Sequence, residues 1–264
     1  MNTPATYIDA VRSEWTKLTS LWSSWWTLLA TAVLGVGIGA LVSADSANTY
    51  RIAAAADRAS FDPTHESLFT GVIFATLAMV VLGVLVVTSE YATGMIRTSL
   101  VAVPRRRRLL AAKVTVLLLV GLVTSVPIGF GMFLAGQAIL AGSDVPHATL
   151  DQPQVLRAVF GAGLFLTAAA LMGLAVGVIV RSTAGAIAFL FTTTLLVPTA
   201  ILPSLPDQLG DPLLKYWPNA AGMAILSTRP VPETLTPWTG LGWMWLATIA
   251  VLAAAFLVFR AKDA

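Results

Sequence analysis

The charged residues of this chain are spaced so unevenly that they cut it into lengths of uncharged sequence. No Asp, Glu, Lys or Arg occurs in 18–44, 67–89, 114–143, 158–180, 182–206 or 234–259, runs of 23 to 30 residues each. About 20 residues of α-helix cross the hydrocarbon core of a bilayer. A charge placed at mid-membrane costs roughly 2.5–3.5 kcal/mol. Six uncharged runs of that length therefore predict six transmembrane helices in an all-α membrane protein. The runs are continuously apolar rather than alternating, which excludes barrel strands. Composition agrees: 11% of residues are charged and 57% hydrophobic, with a mean hydropathy of +0.82. A soluble domain carries about 25% charge, so neither a soluble enzyme nor a disordered chain fits. The absence of cysteine removes disulfides, zinc-thiolate sites, iron–sulfur clusters and cysteine nucleophiles together.

Lys and Arg set the orientation. With the N-terminus in the cytoplasm, the inner segments hold 11 of the 16 cations, among them Arg105 to Arg108, and the outer segments hold Arg51, Arg58, Arg157, Lys215 and Arg229. The positive-inside rule selects this arrangement. It predicts a multi-pass protein of the cytoplasmic membrane with both termini inside. The small residues near Ala44 are not read as a signal-cleavage site, because the apolar run before them exceeds a signal peptide's 7–15 residues.

Residues 1–21 and the tryptophan that follows place Ile8, Val11, Trp15, Leu18 and Trp22 at intervals of 3, 4, 3 and 4. That spacing predicts an amphipathic helix on the inner surface, its apolar stripe down and Arg12, Glu14 and Lys17 off the stripe. Trp15, Trp22, Trp25 and Trp26 at one interface, and Trp217, Trp238, Trp243 and Trp245 at the other, read as aromatic belts. Gly35 and Gly39 in the first span, and Gly173 and Gly177 in the fourth, have the GxxxG spacing of close helix packing, within one chain or between two. Residues 45–66 read as a polar outer loop with a helix around 52–58. The loop 203–233 carries six prolines and, within it, an uncharged run 216–228 of 13 residues. That run is too short to cross, so a short helix or a re-entrant segment in the outer leaflet is expected between spans 5 and 6.

Chemistry motifs are missing. There is no GxxxxGK[ST], no HExxH (His65-Glu66 continues as Ser67-Leu68) and no GxSxG. No span carries an unpaired ionisable residue at mid-depth, which argues against a proton- or sodium-coupled carrier. The chain reads as neither an enzyme nor a metal protein. If it moves something, the energy comes from another chain.

The only substantial inner loop is 89–113. Glu90 and Tyr91 stand at the membrane exit, and Gly94 permits a sharp turn. Ile96, Leu100 and Val103 then share one face of a short helix beside Arg97, before Pro104 ends it and Arg105–Arg108 follow. Such a helix suits docking by a peripheral partner. It equally suits an amphipathic linker resting on lipid, with Arg106 and its neighbours serving topology.

The order Glu90, Gly94, Ile96, Leu100, Pro104, Arg105–Arg108, Ala112, Lys113 resembles the signature of ABC-2 type ABC transporter permeases. It departs at Met95, where a small hydroxyl residue is usual. Ser13-Glu14-Trp15-Thr16-Lys17-Leu18 and Trp217-Pro218-Asn219-Ala220-Ala221-Gly222 also look like actinobacterial members of that family. The resemblance implies one permease domain over 1–264, with 1–21 as a connecting helix (Glu14, Trp15, Lys17, Leu18) and 22–264 as the six-span region. It implies a cytoplasmic coupling helix after span 2, formed around Glu90, Tyr91, Gly94, Ile96, Arg97, Leu100, Val103, Pro104 and Arg106. It further implies a separate ABC ATPase in two copies, which brings ATP and magnesium while this chain holds no cofactor, and a second permease subunit as homodimer partner. The cargo implied is hydrophobic or amphipathic and exported. Nucleic acid is not expected as a partner. Thr70, Thr76, Thr192, Thr193 and Thr194 are candidates to line the pathway, although membrane threonines commonly bond their own backbone at i−4. The competing reading is a non-transporting scaffold or sensor accessory that docks a partner through 89–113.

Overall fold

The computed structural model describes residues 6–95, 98, 105–229 and 234–261, and among these no residue is in a strand. Helix α1 (Tyr7–Ser20) precedes α2 (Trp22–Ile52), α3 (Ala55–Ser60), α4 (Pro63–Ala92), α5 (Arg106–Gly142), α6 (Val155–Val180) and α7 (Thr183–Phe191). The helix begun by α7 continues as a π-helix, Thr192–Ile201, and a 3-10 turn, Leu202–Ser204. Short helices α8 (Asp207–Lys215) and α9 (Pro218–Met223) follow, then α10 (Pro237–Ala261). Six helices are long and apolar enough to cross a membrane: α2, α4, α5, α6, the composite Thr183–Ser204 and α10. These are the six spans the uncharged runs predict.

Two boundaries differ from the sequence reading. Helix α2 does not stop at Asp45 but runs on to Ile52, and α3 is a separate helix beyond Ala53. Arg58 explains the break: its guanidinium donates to the carbonyls of Tyr50 and Arg51, at 3.1 and 2.5 Å, and so caps the last turn of α2. At the other boundary, α5 starts at Arg106. The arginine run thus forms the first turn of the third span, and Lys113 lies two turns inside it.

Helix α6 is the centre of the bundle. Of the residues in its most apolar stretch 78% are buried, against 17% for Thr183–Ser204 and 22% for each of α2 and α10. The outer helices turn apolar side chains such as Val33, Leu41, Leu196, Ile249 and Leu257 away from the protein, which suits a hydrocarbon solvent. Helices α4 and α6 cross at Gly83 and Gly173: a Cβ on Gly83 would strike the Ala170 carbonyl, and one on Gly173 the Val80 carbonyl. Gly35 and Gly39 meet Gly71 and Ser67 of α4. The GxxxG spacings therefore serve packing within the chain.

At the end opposite α1, Asp62 joins distant segments. It caps α4 by accepting the N–H groups of Thr64 and His65 at 3.1 Å. It also accepts the amide and the hydroxyl of Thr228, both at 2.8 Å. Arg157 of α6 donates to the Ser227 carbonyl. The stretch between spans 5 and 6 is thereby held against the bundle, and its short helices agree with the expectation from 216–228.

Candidate functional site

Helix α1 is opened by a capping box in which Thr6 and Asp9 bond each other's backbone N–H. The apolar stripe read from the sequence is shared out: Leu18 is buried and Val11 packs against the core, while its other members face away from the protein. The face against the protein is Ala10, Glu14 and Leu18, at i, i+4 and i+8, while Ile8, Trp15 and Trp22 point outward. A helical wheel fixes which residues share a face but not what lies opposite, and here a cation lies opposite. Lys113 of α5 is 2% exposed and donates to Glu14 Oε2 at 2.6 Å and Glu90 Oε1 at 2.7 Å. Lys17 donates to Glu14 Oε1 at 2.7 Å and to Glu90 Oε1 at 2.8 Å. Among the described residues the four groups form a ring of alternating charge, drawn from α1, the end of α4 and the start of α5. Lys113 has a third acceptor in the Val86 carbonyl at 3.3 Å.

Glu90 is thus engaged by two lysines. Burial pulls the Lys17 ammonium down, but its hydrogen bonds to Glu14 and Glu90 more than offset this and hold its pKa above the usual 10.5. Beside the ring, Leu18 packs on Val116 and Val120. The Tyr7 hydroxyl bonds Thr115 Oγ1 at 2.7 Å, and Trp25 Nε1 donates to the Thr19 carbonyl at 2.8 Å across the α1–α2 corner. Sequence reasoning selected Glu14, Lys17 and Glu90 but treated Lys113 only as the close of a motif. A lysine two turns into a span is itself the signal for a buried partner.

One residue beyond Glu90, Tyr91 lies under the Arg181 guanidinium, 5.4 Å from its ring centre. Arg181 ends α6 at a φ of +57°. Gly94 follows α4 with a φ of +71°, the left-handed turn expected of it. Arg106 opens α5. Ile96, Arg97, Leu100, Val103 and Pro104 lie outside the described residues.

A cavity of about 790 Å³ occupies the other half of the molecule. Its walls are Phe69, Ile73, Thr76 and Leu77 of α4, Phe165 of α6, Thr194, Leu195, Pro198 and Thr199 of the π-helix, and residues of α8 and α9. Volume and apolar lining match a site for a small organic molecule. Of the candidate lining residues, Thr76 and Thr194 are at the wall, whereas Thr70, Thr192 and Thr193 are not among those lining it. Thr76 and Thr193 spend their hydroxyls on the carbonyls of Val72 and Phe189 at i−4.

Among the described residues no group of three or more His, Cys, Asp or Glu is placed to hold a metal. A search of curated proteins finds no match to the chain. The family described as ABC-2 family transporter protein matches residues 10–198. That interval takes in all of α1 but its first three residues, the charge ring, the first four spans and span 5 to Pro198. A transport component of this kind is not itself a catalyst. The chain is therefore a multi-pass permease subunit, a member of the ABC-2 family of ABC transporter membrane proteins.

Proposed function

We propose that the chain is the membrane half of an ATP-driven exporter of hydrophobic or amphipathic molecules, seated in the cytoplasmic membrane with both termini in the cytoplasm. ATP and magnesium are handled by a separate ABC ATPase, present in two copies, and the permease pairs with a second copy of itself. The segment 89–113, with Glu90, Tyr91, Gly94, Ile96, Arg97, Leu100, Val103, Pro104 and Arg106, is the docking element, and α1 is the connecting helix. The whole of 1–264 acts as one permease domain.

The observation that carries this reading is that α4 joins both halves of the machine. Glu90 at its end is locked into the charge ring, and Thr76, fourteen residues earlier, lines the cavity. At 1.5 Å per residue the two are about 21 Å apart along one helix. A displacement of the segment that leaves α4 at Gly94 is carried by the ring into α1 and α5 and by the helix to the cavity wall. A scaffold that only docks a partner needs no such cavity, which places it second.

The test is capture of a cytoplasmic ABC ATPase with the tagged chain from its native membranes, followed by turnover in lipid nanodiscs with and without a long-chain alkylammonium probe. Stimulation that is lost in Glu90→Gln at equal complex yield supports the permease reading. Binding of the ATPase with turnover indifferent to any amphiphile supports the scaffold.

A further inference from the structure

Span 5 is broken, and the break is mended from outside the span. Thr192–Ile201 is wound as a π-helix with Pro198 inside it. In a π-helix residue i donates to the carbonyl at i−5, in an α-helix to that at i−4. Pro198 has no N–H to give. It therefore orphans the Thr193 carbonyl in the first register and the Thr194 carbonyl in the second. An orphaned carbonyl within the hydrocarbon region costs several kcal/mol. Those two carbonyls are the ones that receive side-chain donors from beyond the span. Trp217 Nε1 donates to the Thr193 carbonyl at 2.8 Å, and Asn219 Nδ2 to the Thr194 carbonyl at 3.3 Å.

The donors stand on a fixed base. Pro218 opens α9 between them. Helix α9 is seated on α10, where a Cβ on Gly240 would strike the Ala221 carbonyl, and on α6, where one on Gly222 would lie 2.8 Å from Phe165. Trp243 Nε1 fixes the preceding corner by donating to the Tyr216 carbonyl at 2.6 Å. The span they mend is, by contrast, the least buried of the six.

We infer that Trp217 and Asn219 are positioning residues: they stand in for the backbone donor that Pro198 lacks and hold span 5 as the wall of the cavity. Their importance to cargo rests on the permease reading; their replacement of the missing donor does not. Thr194, Leu195, Pro198 and Thr199 all face the cavity from the mended stretch. A change at Trp217 therefore alters the wall without touching what the cavity holds.

The test is a pair of double-mutant cycles on the full chain in lipid nanodiscs, read by amide hydrogen exchange over 192–204 with no ligand or ATPase present. Trp217→Phe keeps the ring and removes the donor; Asn219→Leu removes the other; Pro198→Ala restores a backbone N–H. Each donor loss is expected to speed exchange about tenfold, the equivalent of one net hydrogen bond. In the Pro198→Ala background the one restored N–H takes one of the two carbonyls, Thr193 in the π register or Thr194 in the α register, so loss of that carbonyl's side-chain donor is expected to change exchange less than about threefold, a coupling that general loosening of the fold does not produce. Equal effects of Trp217→Phe and Asn219→Leu in both backgrounds, or no effect in the natural one, overturn the inference. Both failures leave the permease reading standing, because that reading is judged by ATPase turnover alone.

Discussion

Lys113 holds its ammonium 2.6 Å from the Glu14 carboxylate, a residue 99 positions earlier and on a different helix. This pair closes the ring that fastens α1 to the beginning of span 3. It also sets the first expectation. Removing one partner of a buried ion pair strands the other, at a cost of about 3–5 kcal/mol. Lys113→Met and Glu90→Gln should each lower the apparent unfolding temperature in nanodiscs. The combined Lys113→Met, Glu90→Leu variant should recover much of the loss, since an apolar replacement of both charges leaves no stranded ion. Additive losses in the double variant would refute the pairing.

The ring also predicts a pH response of definite sign. The Lys17 pKa is raised in the folded protein, so its contribution is complete below about 10.5 and disappears as pH rises through the higher folded value. Stability measured from pH 6 to 9 should show no step from Lys17. A loss should begin above pH 10.5 and be smaller in Lys17→Met, whose own stability is lower at neutral pH.

Filling the cavity should separate cargo from coupling. Leu195→Trp places a large ring in a space of about 790 Å³ bounded by Phe69, Ile73 and Phe165. Stimulation of the partner ATPase by an amphiphile should fall by tenfold or more, while basal turnover and complex yield stay near those of the natural chain. Thr192→Val, whose side chain is not at the wall, should leave stimulation unchanged. Equal stimulation in Leu195→Trp and the natural chain removes the cavity from the pathway.

Topology is open to direct labelling because the chain contains no cysteine. Single cysteines at Ser60 and Ser143 should react with an impermeant thiol reagent on intact cells. One at Ser182, beside Arg181 at the junction of spans 4 and 5, should react only after permeabilisation. Labelling of Ser182→Cys in intact cells reverses the orientation.

The six spans were legible because the hydrocarbon penalty on charge is large and local: no tertiary knowledge is needed to see where Asp, Glu, Lys and Arg are missing. The end of α2 was not legible in the same way. Its last turn is polar, and the residue that caps it, Arg58, folds back from the next helix. What α1 turns toward the bundle was not legible for a related reason. Glu14 looks solvent-directed until Lys113 is brought to it, and that encounter depends on α5 lying alongside α1. Gly94 was legible as a turn because glycine adopts a positive φ at little cost. Asp62, which ties Thr228 to the start of α4, gave no sign in the sequence beyond an aspartate before a proline, the ordinary mark of a helix N-terminus.

The crossing at Gly83 and Gly173 has a consequence for how such a chain can diversify. There α4 and α6 touch backbone to backbone, so neither position accepts even a methyl group without driving the helices apart. The side of the cavity built on those helices has little freedom to be resculpted. The opposite side, from Thr194 to Thr199 and along α8, is made of side chains on the least buried of the spans and on a short helix outside it. New cargo preferences in chains of this design should arise there, on the wall that can be redrawn without moving the keel.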